Sequence, residues 1–272
     1  MSSARALIVV PARYGSTRLP GKPLLRIAGR TLLERVHAVA TAAAHLAGGC
    51  DVVVATDDRR ICEHARQIGA EVAMTSADLD CGSSRACAAA LSRPLVPDIV
   101  INLQGDSPFV PPDVVARLIE TLRNGGADVA TPIYRLDWDR LTRLRKHKAT
   151  VPFSGTTCIR AADGRALWFS KTIIPALRDE EMLRARGPVS PVWQHMGLYG
   201  YRLTALEWFA STPRSPYEVL EGLEQLRFLE GGRLIATVEV DPPSHAMSGI
   251  DTPTDLALAE EAILRLGDPF PA

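Results

Sequence analysis

Residues 6–23 read ALIVVPARYGSTRLPGKP, an apolar run that leads directly into a loop rich in Gly, Pro and basic residues. A continuous Val/Ile run predicts a strand at 6–12 that is covered on both faces, as parallel strands are. The loop nearly matches a Walker phosphate-binding loop, which places four residues between a Gly and a Gly-Lys pair followed by Ser or Thr. Here five residues separate Gly15 from Gly21, and Pro23 stands where that hydroxyl belongs. The stretch therefore predicts a parallel strand followed by a loop that departs from the Walker pattern.

Strand and helix signals alternate through the first half of the chain. Further Val/Ile-rich runs predict strands at 51–57, 71–75, 98–104 and 128–134. Segments opened by Pro or closed by Gly predict helices at 31–47, 59–68, 83–92 and 112–124. Strands and helices in this order predict an α/β fold with an open, doubly wound sheet.

The second half of the chain begins with a different pattern of predicted elements. A hairpin is predicted over 156–170, where Asp163-Gly164 marks the turn. The other predicted elements are strands at 197–203 and 233–240 and helices at 217–232 and 252–266. Thr252 and Asp255 fit a capping box at the start of the last helix.

The composition is typical of a globular protein. Hydrophobic residues make up 46% and charged residues 23% of the 272 residues, which argues against disorder. Lys+Arg and Asp+Glu both number 31, so charge gives no reason to expect a nucleic acid or a membrane surface as partner. No apolar run approaches the ~18 residues of a membrane span. The five cysteines contain no CxxC pair, so we expect reduced thiols in a cytoplasmic protein rather than disulfides or a zinc site.

The loop after the first predicted strand carries the strongest functional signal. In an open parallel sheet, ligands bind beyond the carboxyl ends of the strands, where this loop lies. Small residues let backbone N–H groups approach a polyphosphate, and fixed cations neutralise its charge. The residues concerned are Arg13, Gly15, Ser16, Thr17, Arg18 and Lys22. Phosphate binding is the favoured interpretation, and a solvated basic loop is the alternative.

Two acidic residues are candidates for holding a cation beside the phosphates. Asp106 follows Gly105 at the end of a predicted strand, and Mg²⁺ is commonly held by one or two carboxylates plus phosphate oxygens. Asp251 directly precedes the N-cap of the last predicted helix. Structural roles also fit these positions, because Asp often caps a turn or interacts with a helix dipole.

Other polar residues give weaker signals by themselves. His195 stands at the entrance of the predicted strand 197–203, where a structural hydrogen bond is the commoner role. Glu224 and Gln225 fall inside the predicted helix 217–232, where a solvated or salt-bridged face is usual.

Seven segments resemble, in the same order along the chain, those of the bacterial CMP-Kdo synthetases (3-deoxy-manno-octulosonate cytidylyltransferases) and, more distantly, the CMP-sialate synthetases. They are VVPARYGSTRLPGKPLLRIAGRTLLERV, VVVATDD, VINLQGDSP, ALWFSKTIIP, HMGLYGYR, SPYEVLEGLEQLRFLEGG and GIDTPTDL. The resemblance implies a nucleotidyltransferase fold related to glycosyltransferase A, an α/β sandwich with a mostly parallel sheet and a smaller lobe that forms a homodimer. It implies one domain, 1–272, with a nucleotide-binding core (1–150), an acceptor and dimerisation lobe (151–250) and a last helix that returns to the core (251–272).

The same resemblance implies roles for the candidate residues. It assigns catalysis to Arg13, Arg18, Lys22 and Asp106, and Mg²⁺ binding to Asp106 and Asp251. It adds Gly82, Arg85 and Gln104 to the loop residues that contact CTP. It places a small acidic acceptor beside Gln104, Lys171, His195, Tyr199, Glu224 and Gln225. The implied reaction is attack of an acceptor oxygen on the α-phosphorus of CTP with loss of pyrophosphate, which needs positioning and charge neutralisation more than covalent help.

The chain departs from the family pattern away from the phosphate and metal positions. In TSADLDCGSSR (75–85), Ser76, Leu79, Cys81 and Ser83-Ser84 replace the usual Arg, His, Ser and Thr-acid residues, whereas Gly82 and Arg85 remain. Three further replacements are Ser107 for an acid and Lys171 and Gln194 for Arg. Lys keeps the charge of Arg but loses its planar fork.

Because these losses cluster around the substrates, we expect an acceptor other than Kdo, such as the small phosphonate phosphonoformate. An ordinary Kdo enzyme is the alternative. A non-catalytic nucleotide-binding module is a third interpretation, but none of the loop or metal charges is lost. A sugar-transferring enzyme of related fold commonly has an Asp-x-Asp motif, which QGDSP is not.

Overall fold

The computed structural model describes residues 4–15, 19–243 and 249–269. Strands and helices alternate along the chain, as the apolar runs predict. The strands are β1 (Ala6–Ala12), β2 (Arg26–Ile27), β3 (Arg30–Thr31), β4 (Asp51–Thr56), β5 (Val72–Met74), β6 (Ile99–Asn102), β7 (Val129–Asp137), β8 (Thr156–Arg160), β9 (Ala166–Ser170), β10 (Val189–His195), β11 (Tyr199–Arg202) and β12 (Ile235–Glu239). The helices are α1 (Leu32–Leu46), α2 (Arg59–Gln67), α3 (Gly82–Leu91), α4 (Pro112–Asn124), α5 (Trp138–Thr150), α6 (Glu180–Ala185), α7 (Leu203–Ser211), α8 (Pro216–Glu221), α9 (Glu224–Glu230) and α10 (Pro253–Leu266).

Within the described residues, ten strands form one sheet. Nine of them follow the order β5-β4-β1-β6-β11-β7-β10-β8-β9, and the tenth, β12, lies off this path and pairs in parallel with β7. Seven of the ten run in one direction, whereas β9, β10 and β11 run in the other. The α/β fold with a mostly parallel sheet is thus confirmed. One feature differs from a simple doubly wound sheet, since antiparallel β11 lies between β6 and β7.

Both faces of the sheet are covered, which explains the continuous apolar runs of its strands. Successive side chains of a strand point to opposite faces. In β1, Ile8 and Val10 pack in one core together with helices α1 and α4, and Leu7 and Val9 pack in a second core together with α3 and α7. A strand between two cores needs apolar residues at every position, and β1 is buried along its whole length.

Most predicted element positions are confirmed to within a few residues, including the 156–170 hairpin and the Thr252/Asp255 capping box. The prediction of one helix over 217–232 is wrong. Gly222 has a φ of +64°, which ends α8, and α9 begins afresh at Glu224. Glu224 therefore lies in the first turn of a short helix, not in the middle of a long one.

Helix α5 had no counterpart in the sequence prediction, nor did β10, α6 and α7. In α5 only Trp138, Leu141 and Leu144 are buried, and the many charged residues between them hide the apolar stripe. The division of the chain at about 150 stays a prediction, although β11 and β12 from its second half lie in the same sheet as the first half. None of the helices in the described ranges combines the length and apolarity needed to cross a membrane.

Candidate active site

A cleft of about 490 Å³ lies at the carboxyl edge of the parallel strands. Loops after β1 and β6 form its floor, because the carboxyl ends of adjacent parallel strands open at the same edge. Gly105 is needed there, since a Cβ at this position would lie 2.5 Å from the carbonyl oxygen of Pro11. This close approach brings Asp106 against the loop after β1.

The cleft brings together most of the predicted nucleotide and metal residues. Those that line it are Arg13, Gly15, Lys22, Gly82, Arg85, Gln104, Asp106 and Asp251. Ser16, Thr17 and Arg18 lie outside the described residues, so their predicted roles have no structural description. Residues separated by more than two hundred positions, such as Lys22 and Asp251, are neighbours here.

Lys22 lies between the two candidate metal-binding carboxylates. Its Nζ donates to Oδ2 of Asp106 (2.8 Å) and to Oδ1 of Asp251 (3.0 Å). The backbone N–H of Ile250 donates to the carbonyl oxygen of Asp106 (2.9 Å), which holds the two acidic segments together. Burial by itself lowers the pKa of Lys22, but the two carboxylates outweigh it and the net pKa is raised. The ammonium group therefore stays charged, and the carboxylate pair already accommodates one cation.

The same two carboxylates are the groups in the cleft that suit a divalent cation. Hard cations such as Mg²⁺ prefer oxygen ligands, and Mg²⁺ commonly takes only one or two carboxylates besides phosphate and water. Among the described residues there is no group of three or more His, Cys, Asp or Glu side chains placed to hold a metal. Asp106 and Asp251 thus fit an ion that completes its shell with ligand oxygens.

Arg85 is held differently from the other cations of the cleft. Its side chain is fully buried, and Nη2 donates to Asp57 Oδ2 (3.0 Å) while Nη1 contacts Oγ1 of Thr75. Its Nε has no hydrogen-bond partner in the described part of the chain. Arg85 therefore presents one unused donor in a rigid setting. Its predicted contact with the nucleotide stays a prediction.

His195 belongs to the predicted acceptor side and lies on the sheet face that carries the second core. The residues of this predicted acceptor side are Gln104, Lys171, His195, Tyr199, Glu224 and Gln225. Its ring contacts Phe169 and Tyr199, with centroids 5.2 and 5.3 Å away. Burial, aided by the nearby charge of Lys171, lowers the pKa of His195 to about 3. The Thr131 hydroxyl donates to the carbonyl oxygen of Leu198 (2.7 Å), so His195 Nε2–H must donate to Thr131 (2.8 Å). The imidazole is therefore neutral, and its Nδ1 is a hydrogen-bond acceptor.

A buried polar network lies beneath the amino-terminal end of α3. Ser83 Oγ donates to Oε2 of Glu224 (2.7 Å), and Asn102 Nδ2 donates to Ser83 Oγ (3.4 Å). Within the described ranges, Oδ1 of Asn102 and Nε2 of Gln225 are buried without a hydrogen-bond partner. Buried polar atoms rarely stay unpaired, so such atoms next to a cleft indicate a place where a ligand completes the network.

Gln104 lines the cleft next to the start of α3. A Cβ at Gly82 would lie 3.1 Å from Nε2 of Gln104, so this glycine lets the amide pack against the start of α3. Lys171 is placed by its backbone, since its N–H donates to Oε2 of Glu221 (2.7 Å). Burial lowers the pKa of Lys171, although Glu221 acts in the opposite direction. Of the predicted acceptor residues, only Gln104 lines the main cleft, whereas His195 lines a second cavity together with Ser107 and Tyr134.

Sequence reasoning missed several residues of the site. Asn102 was inside a quoted motif but received no role, although an amide at the end of the otherwise apolar strand IVIN was a usable signal. Asp57, which pairs with Arg85, ends the predicted strand 51–57 at the edge where ligands are expected but received no role. Ser83, which contacts Glu224, had no local signal. Their partners come from distant segments of the chain.

Comparison with known proteins identifies the chain's relatives. A family model described as cytidylyltransferase matches residues 7–235. The chain belongs to the cytidylyltransferase family. Within this cytidylyltransferase family, the 3-deoxy-manno-octulosonate cytidylyltransferase of Maricaulis maris is 41% identical over 263 residues, which cover 96% of this chain and 98% of the relative. The enzyme of the same name from Syntrophotalea carbinolica is 39% identical over 256 residues, 93% of this chain and 96% of that protein.

Solved structures agree with the assignment of this cytidylyltransferase. A CMP:2-keto-3-deoxy-manno-octonic acid synthetase complexed with CTP matches with a TM-score of 0.82 and 32% identity, covering 97% of this chain and 100% of the other. A cytidylyltransferase from Leptospira borgpetersenii has the same fold, with a TM-score of 0.60 and 20% identity over 99% of this chain and 89% of its own. The resemblance to the CMP-Kdo synthetase family is confirmed.

Proposed function

We propose that this cytidylyltransferase transfers CMP from CTP to 3-deoxy-manno-octulosonate (Kdo), with Mg²⁺ as cofactor. The observation that carries the proposal is the convergence of Lys22, Asp106 and Asp251 in one cleft at the carboxyl edge of the sheet. The choice of CTP is supported by the solved relative that was complexed with it. In the proposed reaction an acceptor oxygen forms a bond to the α-phosphorus, the bond to pyrophosphate breaks, and the acceptor's proton is lost to solvent.

The charges of the cleft suit this reaction. Asp106 and Asp251 are the residues we expect to hold Mg²⁺, which would neutralise phosphate charge and polarise the phosphoryl group. Lys22 is held against the same carboxylates and is placed to neutralise phosphate oxygens that approach them. Arg13 is exposed at the rim of the cleft, where its Nη1 donates to the carbonyl oxygen of Asp80 (3.5 Å), and it adds a further positive charge.

The acceptor side is suited to binding hydroxyl groups. His195 is neutral at neutral pH, so it contributes hydrogen bonding to the acceptor rather than charge. A carboxylate at Glu224 and the unpaired Oδ1 of Asn102 both need hydrogen-bond donors. Both candidate acceptors are anions, but a sugar acid also offers donors through its hydroxyl groups, whereas an ionised phosphonate is an acceptor only. These observations support Kdo over phosphonoformate.

The comparisons point in the same direction. The curated relatives from Maricaulis maris and Syntrophotalea carbinolica are named 3-deoxy-manno-octulosonate cytidylyltransferases and align over more than nine-tenths of the chain. The sequence interpretation placed a phosphonate first because Lys171, Gln194 and the 75–85 segment depart from the family pattern. The Kdo alternative is better supported, and these departures have no clear bearing on the acceptor.

Two further parts of the proposal concern assembly and location. A homodimer is supported by apolar side chains that are exposed in the predicted dimerisation lobe (151–250). They are Val151, Phe153, Leu167, Met182 and Val189. Light scattering on the purified protein tests this, and a monomer at micromolar concentration would contradict it. A cytoplasmic location is supported by the five cysteines, which are all free thiols.

One assay tests the reaction and its acceptor together. Pyrophosphate release is measured with Mg²⁺ and each of the four nucleoside triphosphates, alone, with Kdo and with phosphonoformate. Release with CTP and Kdo is the expected result. Release with phosphonoformate but not with Kdo would restore the phosphonate interpretation. No release with either acceptor would favour a nucleotide-binding module without catalysis.

A further inference from the structure

Helix α10 is attached to the fold by few apolar contacts. Only Ala259 and Ile263 of its fourteen residues are buried, and Leu258, Leu264 and Leu266 are exposed. The two buried residues belong to a small core that is separate from the two main cores. Its members are Ile27, Leu32, Phe109, Ile250, Ala259 and Ile263. Two small-to-medium side chains bury little apolar surface, so other contacts matter for the position of the helix.

This small core sits next to the charged end of the cleft. Ile250 is adjacent to Asp251, and Phe109 lies in the loop that carries Asp106. Ile27 comes from the hairpin of β2 and β3, directly after the turn that begins at Lys22. The relative positions of the three charged groups therefore depend on how α10 docks against these segments.

An ion pair between a buried arginine and a partly exposed aspartate holds the far end of the helix. Arg35, on α1, is fully buried, and its guanidinium donates to both carboxylate oxygens of Asp268 (2.8 and 2.9 Å). The same guanidinium donates twice to the carbonyl oxygen of Ile27 (3.0 and 2.7 Å). A two-point pair of this kind fixes orientation as well as distance. Loss of its acidic partner would leave a buried, permanently charged group without compensation.

Two aspartates thus flank α10 at opposite ends. Asp251 precedes the N-cap residue Thr252, and Asp268 follows the C-cap residue Gly267. A helix of fourteen residues is rigid over its length of about 21 Å, so movement at one end is transmitted to the other. We propose that the Arg35–Asp268 ion pair positions α10 so that the carboxylate of Asp251 stays beside that of Asp106. Asp268 is then a positioning residue for the metal site, and this inference rests on the proposed role of Asp251.

The test measures metal binding without turnover. Mn²⁺ is titrated into the protein saturated with CTP in the absence of acceptor, and free Mn²⁺ is followed by electron paramagnetic resonance. We expect Asp268→Ala to weaken Mn²⁺ binding about tenfold, the usual effect of losing a group that orients a metal ligand. The Mg²⁺ concentration for half-maximal pyrophosphate release should rise by a similar factor. Asp268→Glu keeps the carboxylate and should restore most of the affinity.

Two controls separate positioning from general destabilisation. Glu260→Ala removes an exposed carboxylate from the same helix and should leave Mn²⁺ affinity unchanged. Asp268→Asn keeps the shape of the side chain, so its Mn²⁺ affinity is measured if Asp268→Ala does not fold. Wild-type affinity in the folded Asp268 variants, even with a lowered melting temperature, would overturn the inference.

The outcome for Asp251→Ala distinguishes this inference from the proposed function. If Asp251→Ala weakens Mn²⁺ binding and the Asp268 variants do not, only the positioning role fails. If Asp251→Ala has no effect either, Asp251 is not a metal ligand, and the proposed metal site fails together with the inference that depends on it.

Discussion

The main cleft, which is the predicted nucleotide side, and the predicted acceptor side around His195 and Glu224 are built with different chemistry. On the nucleotide side, charged groups neutralise one another, as in the contacts of Lys22 with Asp106 and Asp251. On the predicted acceptor side, burial lowers the pKa of His195 and raises that of Tyr199, so both rings are uncharged. The comparison leads us to expect that paired charges bind the triphosphate, whereas neutral rings together with the carboxylate of Glu224 bind the acceptor.

The largest effect is expected on the charged side. Asp106→Asn should lower kcat by about 10³-fold, because the carboxylate that faces Lys22 and the proposed Mg²⁺ is lost. The measurement is pyrophosphate release at saturating CTP and acceptor. Asp113→Asn, which removes an exposed carboxylate at the start of α4, is the control and should be silent. If Asp106→Asn keeps more than a tenth of wild-type activity, the charge of the Asp106 carboxylate is not essential for the reaction.

A smaller effect with a different signature is expected on the acceptor side. Glu224→Gln should raise the KM for the acceptor about 10- to 100-fold, the cost of about 1.5–3 kcal/mol for a hydrogen bond to a charged group. The KM for CTP should change less than twofold. Steady-state kinetics with each substrate varied in turn make the measurement, and exposed Glu181→Gln on α6 is the control. A rise in the KM for CTP instead would place Glu224 on the nucleotide side.

The neutral state of His195 predicts a pH dependence of stability. Its pKa is about 3 in the folded protein against an ordinary 6.5, so the unfolded chain binds a proton that the folded chain does not between these values. The free energy of unfolding should therefore fall as pH decreases below 6.5, by at most about 1.4 kcal/mol per pH unit from this residue.

Urea unfolding of wild type and His195→Gln at several pH values from 7 to 4 measures this contribution. The difference in the free energy of unfolding between the two proteins should change with pH in favour of the variant as the medium becomes acidic. A constant difference would mean that His195 has the same pKa in the folded and unfolded states. The imidazole would then not be held neutral by the fold.

The smallest effect concerns the turn that sets Glu224 in place. Gly222 has a φ of +64° and open space around it, so Gly222→Ala should cost about 1 kcal/mol through backbone strain alone. Gly126→Ala is the matched control, because Gly126 is exposed and its added Cβ also meets open space, without a positive φ. Denaturant unfolding gives the free energy of unfolding of both variants. A Gly222→Ala variant that is more stable than wild type would contradict the left-handed backbone that ends α8.

The nucleotide side was the part of the site most accessible from sequence. Its groups follow strand ends, and strand ends are marked by apolar runs, so Arg13, Lys22 and Asp106 were identified as candidates from their local context. Asp251 was located at a helix start by the capping box of Thr252 and Asp255. Their roles as phosphate and metal ligands remain predictions.

The acceptor side was less accessible because its contacts join segments that are distant along the chain. Ser83 and Glu224 are 141 positions apart, and no local pattern marks their contact. The same limit explains the wrong prediction for 217–232. The amphipathic pattern continues across Gly222, and only its left-handed backbone divides the helix.

By itself, the sequence determined which strands are buried on both faces and which loops carry charge, because these depend on residue type and on short-range periodicity. The tertiary structure decided that Lys22 lies between Asp106 and Asp251, that antiparallel β11 separates β6 from β7, and that His195 is neutral. The physical reason is distance along the chain. Ion pairing, strand order and desolvation depend on neighbours in space, which the order of residues specifies only after the chain has folded.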